Sequence, residues 1–300
     1  MRSFNNKAQL YLYVFLTQFL FANLYAKPVN IDEMLSGKRQ FRILGQFSYI
    51  NLKSKNTALT TIQYQQPNGS YITIPMGVLA NSNIDYLNFT MSARYGIYKR
   101  VELFSTLSAY YQHSMTSVNT SFIESNRGNF NTWNLGVLVQ AKNEGKYPAI
   151  LLSGSIDLMN MATFSDNTSK LQYFKGYSFF ATSYYTIDPL VFLLQAGFRL
   201  NLKNVNNNLS IDSGEIFTFG PTIYFAVNPY VSLNVGIKYQ YKTRDFANDK
   251  VVAMQGSSVA YSLGVAYEIK QHLILFGDAE YLQTNDYVSN AINLTLSYRI

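Results

Sequence analysis

Residues 231–242 alternate without a break between apolar and polar side chains. The apolar positions are Val231, Leu233, Val235, Ile237, Tyr239 and Tyr241, and every residue between them is Ser, Asn, Gly, Lys or Gln. Because 48% of the chain is hydrophobic, a run of this length arises by chance about once in four thousand trials. A period of two is typical of a β-strand with one apolar face, since successive side chains point to opposite sides.

The same alternation recurs along the chain in segments of about ten residues, the length that a tilted strand needs to cross a bilayer. It predicts about twelve strands, near residues 40–52, 84–98, 101–113, 130–142, 148–160, 176–187, 190–202, 214–227, 230–243, 257–270, 272–284 and 290–300. Short connections alternate with longer polar ones at 53–83, 114–129, 161–175, 203–213, 244–256 and 285–289. Tight turns on one side and long loops on the other are the layout of a transmembrane β-barrel.

Aromatic residues distinguish this barrel from a soluble β-sandwich, which is the alternative all-β fold. Only 14% of the chain is charged, against roughly 25% in soluble domains. In a sandwich the apolar row packs inward and tends toward Val, Ile and Leu. Here aromatic rings stand near the ends of the apolar rows, where a membrane interface favours them: Tyr95, Tyr111, Trp133, Tyr177, Tyr185, Phe198, Phe217, Tyr239, Tyr241, Tyr267, Tyr281 and Tyr298.

We therefore predict an all-β protein, a transmembrane antiparallel up-and-down β-barrel over residues 40–300, surrounded by the lipid of a bacterial outer membrane. Residues 1–26 resemble a cleaved signal peptide, with Arg2 and Lys7 before an apolar stretch and Ala26 at the cleavage site; an uncleaved anchor is the alternative. Residues 27–39 are then a periplasmic leader, or a plug that folds back into the lumen. The chain has no cysteine, so the barrel folds without disulfides.

The last predicted strand carries a second signal. Ile292, Leu294, Leu296, Tyr298 and Ile300 alternate with polar residues. This segment, 292–300, resembles the C-terminal β-signal that barrel-assembly machinery recognises, with Tyr298 at the expected third-from-last place. Ile300 departs from that pattern, which most often ends in Phe. We expect the barrel-assembly machinery to be a partner, and strand 12 to pair with strand 1 near residues 41–49.

Three hairpin segments, 93–103, 224–233 and 266–273, share an aromatic residue, a turn and a following strand. They resemble the hairpin repeat of the meta-pathway-of-phenol-degradation barrels. That family is loosely similar to hydrocarbon and fatty-acid uptake channels. The resemblance implies a transporter-like outer-membrane barrel, and no functional residue is carried over from it.

The second row of each predicted strand faces the lumen and holds charged residues, which are the candidate pore residues: Arg42, Asp85, Arg94, Glu102, Asp157, Arg199, Lys238, Lys242, Glu268, Asp278, Glu280 and Arg299. Those nearest the periplasmic rim are expected to form an ion-paired ring. Such pairs either select solutes or only neutralise a polar interior. Aromatic residues on the same row either narrow the pore or form an apolar track: Phe104, Tyr110, Phe180, Tyr184, Tyr224 and Phe276.

Enzyme activity is not predicted. The only histidines are His113 and His272. Outer-membrane phospholipases place a serine two residues after the catalytic histidine, and that position is Met115 here. We find no motif for a metal or another cofactor, and the scattered Lys and Arg residues indicate no nucleic-acid partner.

Two functions fit these features. The first is passage of small solutes, including hydrophobic ones, across the outer membrane. The second is a structural or secretion-associated barrel that exports or anchors a partner protein, with loop 53–83 as its contact surface.

Overall fold

The computed structural model describes residues 35–55, 58–65, 71–78, 81–118, 121–164, 168–284 and 286–300. Within these ranges, twelve long strands form one closed antiparallel barrel, which confirms the predicted fold class and strand number. We number them β1 (Phe41–Ser54), β2 (Ser82–Tyr98), β3 (Val101–Val118), β4 (Ser121–Lys142), β5 (Ala149–Thr163), β6 (Gly176–Ile187), β7 (Leu190–Asn201), β8 (Ile216–Asn228), β9 (Val231–Lys242), β10 (Gly256–Lys270), β11 (Leu273–Gln283) and β12 (Tyr287–Arg299).

The barrel closes between its first and last strands, as predicted. β1 pairs with β12 from Arg42 opposite Arg299 to Ser54 opposite Tyr287. At the periplasmic end Phe41 N donates to Ile300 O over 3.2 Å, and Ile300 N donates to Phe41 O over 2.8 Å. Each strand pairs with the next in sequence around the rest of the wall. Closure supplies partners to backbone groups that would otherwise face hydrocarbon without water.

The outer row of each strand is apolar and exposed, because lipid replaces water as its surroundings. On β9, Leu233, Val235 and Ile237 are 43%, 54% and 46% exposed, while the residues between them are buried. Seven of the predicted interface aromatics are 41–48% exposed on this outer face: Tyr95, Tyr111, Phe217, Tyr239, Tyr267, Tyr281 and Tyr298. These rings form the two girdles that a membrane barrel carries at its interfaces.

The long connections lie at one end of the barrel and contain strands of their own. Loop 53–83 forms a hairpin of Ala58–Gln65 and Tyr71–Val78. A four-stranded sheet, which we call the loop sheet, joins the β7–β8 and β9–β10 loops, in the order Asn204–Asn206, Leu209–Asp212, Asp245–Ala247 and Lys250–Ala253. In the described part of the chain, no helix is long and apolar enough to cross a membrane.

The predicted long loop at 114–129 is wrong. β3 and β4 continue as a paired hairpin that reaches Val118 and Ser121. Beyond the hydrocarbon layer neither face of a strand needs apolar residues, so the alternation that marks the membrane strands stops while the pairing continues. The hairpin also contains a bulge at Asn131, since Ser108 pairs with Thr132 and Ala109 pairs with Phe130. The bulge leaves the Asn131 side chain buried, where its Nδ2 donates to Ser108 Oγ over 3.1 Å.

Candidate functional site

Inner-row side chains change character with depth, and at mid-depth nearly all of them are uncharged and polar. We call this band the polar belt. Its members are buried within the barrel and come from nine of the twelve strands: Gln46, Ser48, Asn88, Thr90, Thr106, Ser108, Asn134, Thr182, Gln195, Thr218, Thr222, Gln240, Asn293 and Thr295. Hydrogen bonds within a strand link several neighbours, such as Asn88 Nδ2 to Thr90 Oγ1 at 2.9 Å.

Apolar inner residues form separate groups above and below the polar belt. The extracellular cluster consists of Ile50, Leu52, Ile84, Tyr86, Ala260, Leu282, Tyr287 and Ala291, with Tyr110 packed against it. The periplasmic cluster consists of Phe104, Leu138, Leu151, Val191, Leu193 and Tyr224, with Leu35 and Tyr184 packed against it. Phe276 belongs to a third, small group with Ala266 and Ile274.

The aromatic residues predicted for the lumen all lie on the inner row. Tyr110 stacks on Tyr86 with ring centroids 5.1 Å apart, at the extracellular end. Phe104, Tyr184 and Tyr224 lie near the periplasmic end. Because the polar belt separates these groups, the described residues do not form one continuous apolar track.

Eleven of the charged pore candidates lie on the inner row, and Asp85 does not. β2 pairs with β1 without a register shift from Asn83 to Tyr95, so Asp85 and Arg94, an odd number of residues apart, face opposite sides. On the outer face, Asp85 Oδ1 accepts from Tyr49 Oη over 2.6 Å and from Asn51 Nδ2 over 2.8 Å. The assignment of Asp85 to the lumen is therefore wrong.

The periplasmic end of the lumen holds a cluster of charged residues. Arg94 and Glu102 form an ion pair with both side chains fully buried. Arg42 is also fully buried and stands opposite Arg94 on one side and Arg299 on the other. Arg299 Nε and Nη2 lie 3.1 Å and 3.0 Å from His272 Nδ1. At the place predicted for an ion-paired ring, the structure therefore has the Arg94–Glu102 ion pair on one side and the Arg299–His272 contact on another.

Further charged pairs lie at mid-depth and toward the extracellular end. Lys238 Nζ lies 2.7 Å and 2.8 Å from the two carboxylate oxygens of Glu280. Two residues before Glu280 on the same row, Asp278 Oδ1 accepts from Asn234 Nδ2 over 3.4 Å. Lys242 Nζ donates to Asp245 Oδ2 over 2.6 Å at the mouth. Glu268, the remaining candidate, lies on the inner row near the periplasmic end of β10.

A cavity of about 70 Å³ lies at the extracellular end of β4–β7, beneath the loop sheet. Arg199 makes three contacts there: Nη2 with Asp157 Oδ2 at 2.5 Å, Nη1 with Ser178 Oγ at 3.1 Å, and Nε with Asn201 Oδ1 at 2.9 Å. The positive charge of Arg199 is therefore balanced inside the cavity wall. The other polar lining residues are Asn131, Thr132, Asn160, Lys175, Asn204 and Ser213.

Two loop carboxylates beside the mouth are electrostatically perturbed. Burial raises the pKa of Asp245, while the Lys242 ammonium and the Gly214 N–H oppose that rise. Burial also raises the pKa of Asp212, and the negative charge of Glu215 adds to the effect. Both carboxyl groups belong to the loop sheet, and each of them loses its proton less readily than a carboxyl group on an exposed loop does.

The segment before β1, for which a lumenal plug was one of two predictions, contacts this interior: Leu35 packs into the periplasmic cluster and Ser36 N donates to Glu102 Oε2 over 2.5 Å. Sequence reasoning missed the set of asparagines around the extracellular cavity. Asparagine is common in turns, so Asn131, Asn160 and Asn204 carry no signal of an inward orientation until the bulges and loop pairings are known.

Of the two histidines, His113 stands apart from this interior, whereas His272 contacts Arg299 at its periplasmic end. His113 lies on the outer row of β3, and its Nδ1 is 2.7 Å from Asn126 Oδ1. Met115 lies on the same outer row, because it follows His113 by two residues. His272 adopts a left-handed backbone conformation, with φ of 72°, in the β10–β11 turn. Among the described residues, no group of three or more histidines and carboxylates could hold a metal ion.

Three solved structures share this architecture. The COG4313 outer membrane channel from Pseudomonas putida F1 is 8% identical, with a TM-score of 0.63 over 89% of this chain and 97% of that chain. The translocator domain of the autotransporter NalP from Neisseria meningitidis is 9% identical, with a TM-score of 0.51 over 90% and 92%. The transport unit of the autotransporter AIDA-I from Escherichia coli is 11% identical, with a TM-score of 0.51 over 95% and 97%.

No protein-family model and no curated protein matches the sequence. At the identities above, the structural likeness is one of fold. The chain has the fold of a bacterial outer-membrane β-barrel, as predicted.

Proposed function

We propose that this protein is an outer-membrane channel that passes small solutes. The observation that supports it is the polar belt, a band of buried, uncharged polar side chains from nine of the twelve strands, enclosed by a wall whose outer row is apolar. A barrel of about eight strands is filled by its own side chains, whereas twelve strands enclose a wider interior. Hydroxyl and amide groups at mid-depth provide hydrogen bonds to water or to a solute on its way through.

Conductance of the purified protein in planar lipid bilayers tests this proposal. We expect discrete current steps in potassium chloride, and liposomes containing the protein should take up small solutes faster than empty liposomes. Uptake of glycerol and of toluene should be compared, because the polar belt favours the first and the apolar clusters favour the second. A folded barrel that carries no current and speeds no uptake would overturn the proposal.

A second candidate function is export or anchoring of a partner protein. The hairpin Ala58–Gln65 and Tyr71–Val78 supports it, because it extends outside the membrane strands as a paired structure. The translocator domain of NalP and the transport unit of AIDA-I are barrels of similar fold. Removal of residues 58–78 separates the two candidates: a channel keeps its current steps, whereas an anchoring protein loses its partner. We propose no catalytic role for the chain.

We also propose that residues 35–40 form a latch at the periplasmic mouth of the barrel. The plug predicted for residues 27–39 would then act through this latch. Residues 1–34, including the expected signal peptide, lie outside the described residues. Ser36 is fully buried beside Glu102. Arg39 N donates to Gly96 O over 2.7 Å, and Gly96 N donates to Gln40 O over 3.1 Å. The segment is therefore hydrogen-bonded to the end of β2 and directed into the lumen.

Substitution Gly96→Ala should release this latch. A Cβ atom on Gly96 would lie 2.1 Å from Gly37 O, so the backbone of residues 36–37 must move away. We expect at least a twofold rise in single-channel conductance. The matched control is Gly45→Ala on the outer face of β1, where a Cβ meets nothing within 4 Å. Equal conductance of wild type and both variants would count against the latch.

We further propose that barrel-assembly machinery recognises strand segment 292–300. Its support is the alternation of Ile292 to Ile300 and its position as the strand that closes the barrel. Ile300→Phe restores the residue that such signals most often carry, and we expect assembly at least equal to wild type. Heat-modifiability on gels of outer-membrane fractions measures the folded fraction. A clear loss of assembled barrel in Ile300→Phe would contradict this proposal.

A further inference from the structure

Five asparagine side chains in the barrel interior share an unusual feature. The amide oxygens of Asn88, Asn134, Asn160, Asn204 and Asn293 are buried, and none of them accepts a hydrogen bond from the described part of the chain. Asn88, Asn134 and Asn293 belong to the polar belt and are only 1%, 9% and 7% exposed. A buried amide oxygen without a donor is costly, and most proteins avoid it. Five in one interior therefore call for a source of donors.

These amide oxygens are distributed along the depth of the barrel. Asn160 and Asn204 line the extracellular cavity. Asn134 lies on β4, next to the cavity, and pairs with Asp157, which lines the cavity. Asn88 on β2 and Asn293 on β12 both face Ser48 on the strand between them. A solute entering at the cavity would thus meet acceptors first at the mouth and then at mid-depth.

Two cations along this route are paired with protein carboxylates, and a third, Lys175 in the cavity wall, donates its Nζ to Lys203 O over 2.8 Å. Arg199 is paired with Asp157 in the cavity wall, and Lys238 is paired with Glu280 at mid-depth. Neither a carboxylate nor a phosphate would find a cation that lacks an internal partner at these two points. The five amide oxygens that lack a donor among the described residues are neutral acceptors, and they would repel an anion even beside Lys175. A neutral acceptor is best matched by a hydroxyl donor, which does not have to lose the hydration of a charge.

We propose that the channel takes small uncharged solutes with several hydroxyl groups, polyols or monosaccharides, and that Asn160 and Asn204 form their extracellular binding site. This proposal deepens the channel function and rests on it. Hydroxyl groups donate to the amide oxygens in turn, so a polyol exchanges hydrogen bonds with water for hydrogen bonds with the wall. An apolar solute would leave the same oxygens without donors.

Solute block of single-channel current tests the proposal, with D-glucose and glycerol as probes. We expect both to reduce or interrupt the current in a saturable way. The double variant Asn160→Leu/Asn204→Leu keeps the side-chain size and removes the acceptors, and we expect at least a fivefold weaker block. Asn160→Asp/Asn204→Asp keeps oxygen acceptors at both positions and should retain block. The matched control is Asn290→Leu, at an exposed position outside the lumen, which should behave as wild type.

The outcomes separate this inference from the channel function. Current steps that glucose and glycerol do not affect, or that toluene or an organic amine blocks instead, would overturn the inference and leave the channel function standing. Absence of current from a folded barrel would overturn the channel function. In that case equilibrium dialysis of radiolabelled glucose with the detergent-solubilised protein decides the binding site: loss of retention in the Leu double variant supports it, and equal retention overturns it.

Discussion

Replacing Glu102 by glutamine is expected to lower the free energy of unfolding of the barrel by about 3–5 kcal/mol, the usual effect of removing one partner of a buried ion pair. Both side chains of the Arg94–Glu102 pair are fully buried, so the Arg94 guanidinium would keep its charge without the carboxylate that balances it. The same substitution weakens the acceptor of Ser36 N. Urea unfolding in lipid vesicles, followed by the fluorescence of the one tryptophan, Trp133, measures the loss.

The control is Lys203→Gln, which breaks an ion pair of the opposite kind. Lys203 and Asp249 pair in the loop sheet with side chains 42% and 81% exposed. Water screens such a pair, and its contribution is at most about 1 kcal/mol. Equal urea midpoints for Glu102→Gln and Lys203→Gln would show that the buried Arg94–Glu102 pair contributes no more to the free energy of unfolding than the exposed pair does.

Substitution Lys238→Gln is expected to make the channel prefer cations. Lys238 neutralises Glu280 at mid-depth, and Asp278 lies on the same inner row of β11. Without the lysine, two carboxylates face the polar belt within reach of a passing ion. At an effective dielectric between that of protein and water, one added negative charge changes the relative permeability of cations and anions roughly 3- to 10-fold. The reversal potential under a potassium chloride gradient reports this ratio.

Glu280→Gln provides the reciprocal control for that experiment. It leaves Lys238 charged and should shift the reversal potential in the opposite direction, toward anions. The double variant Lys238→Gln/Glu280→Gln should return near to wild type, because it removes one charge of each sign. Shifts of the same sign in both single variants would contradict a role for the pair in charge selection.

Strand positions could be predicted from sequence because the bilayer imposes the pattern. A wall with lipid on one side and polar groups on the other must alternate, as residues 231–242 do, and the structure places β9 at Val231–Lys242. Closure was also predictable. Segment 292–300 has the alternation of a membrane strand, and it pairs with β1 in the structure.

The orientation of Asp85 could not be predicted from the alternation of apolar and polar residues. A charged residue was assigned to the lumen on the assumption that the outer row faces hydrocarbon throughout. Beyond Leu87 the outer row leaves the hydrocarbon layer, and Asn83 and Asp85 on that row are polar. Here the alternation no longer tells lumen from exterior, and only the unbroken register of β2 with β1 places Asp85 outside.

The loop sheet and the inward asparagines were beyond prediction for a different reason. Their positions depend on bulges and on pairing between loops far apart in sequence. Asn131 is turned inward by a bulge in β4, and Asn204 by pairing in the loop sheet. Neither the bulge nor the pairing has a distinct local signature, since both use residues that are equally common in unstructured loops.

Because β1 pairs with β12, the strands form a closed circle in the wall, and the circle itself has no first or last strand. Phe41 and Ile300 exchange both of their backbone hydrogen bonds, so the two ends of the barrel domain lie side by side. A short linker could join them while new ends are cut in another periplasmic turn, such as residues 143–148. The wall would keep every strand neighbour it has now, and the last strand to be synthesised would become β4. Circular permutation can thus change which strand closes the barrel without changing the lumen.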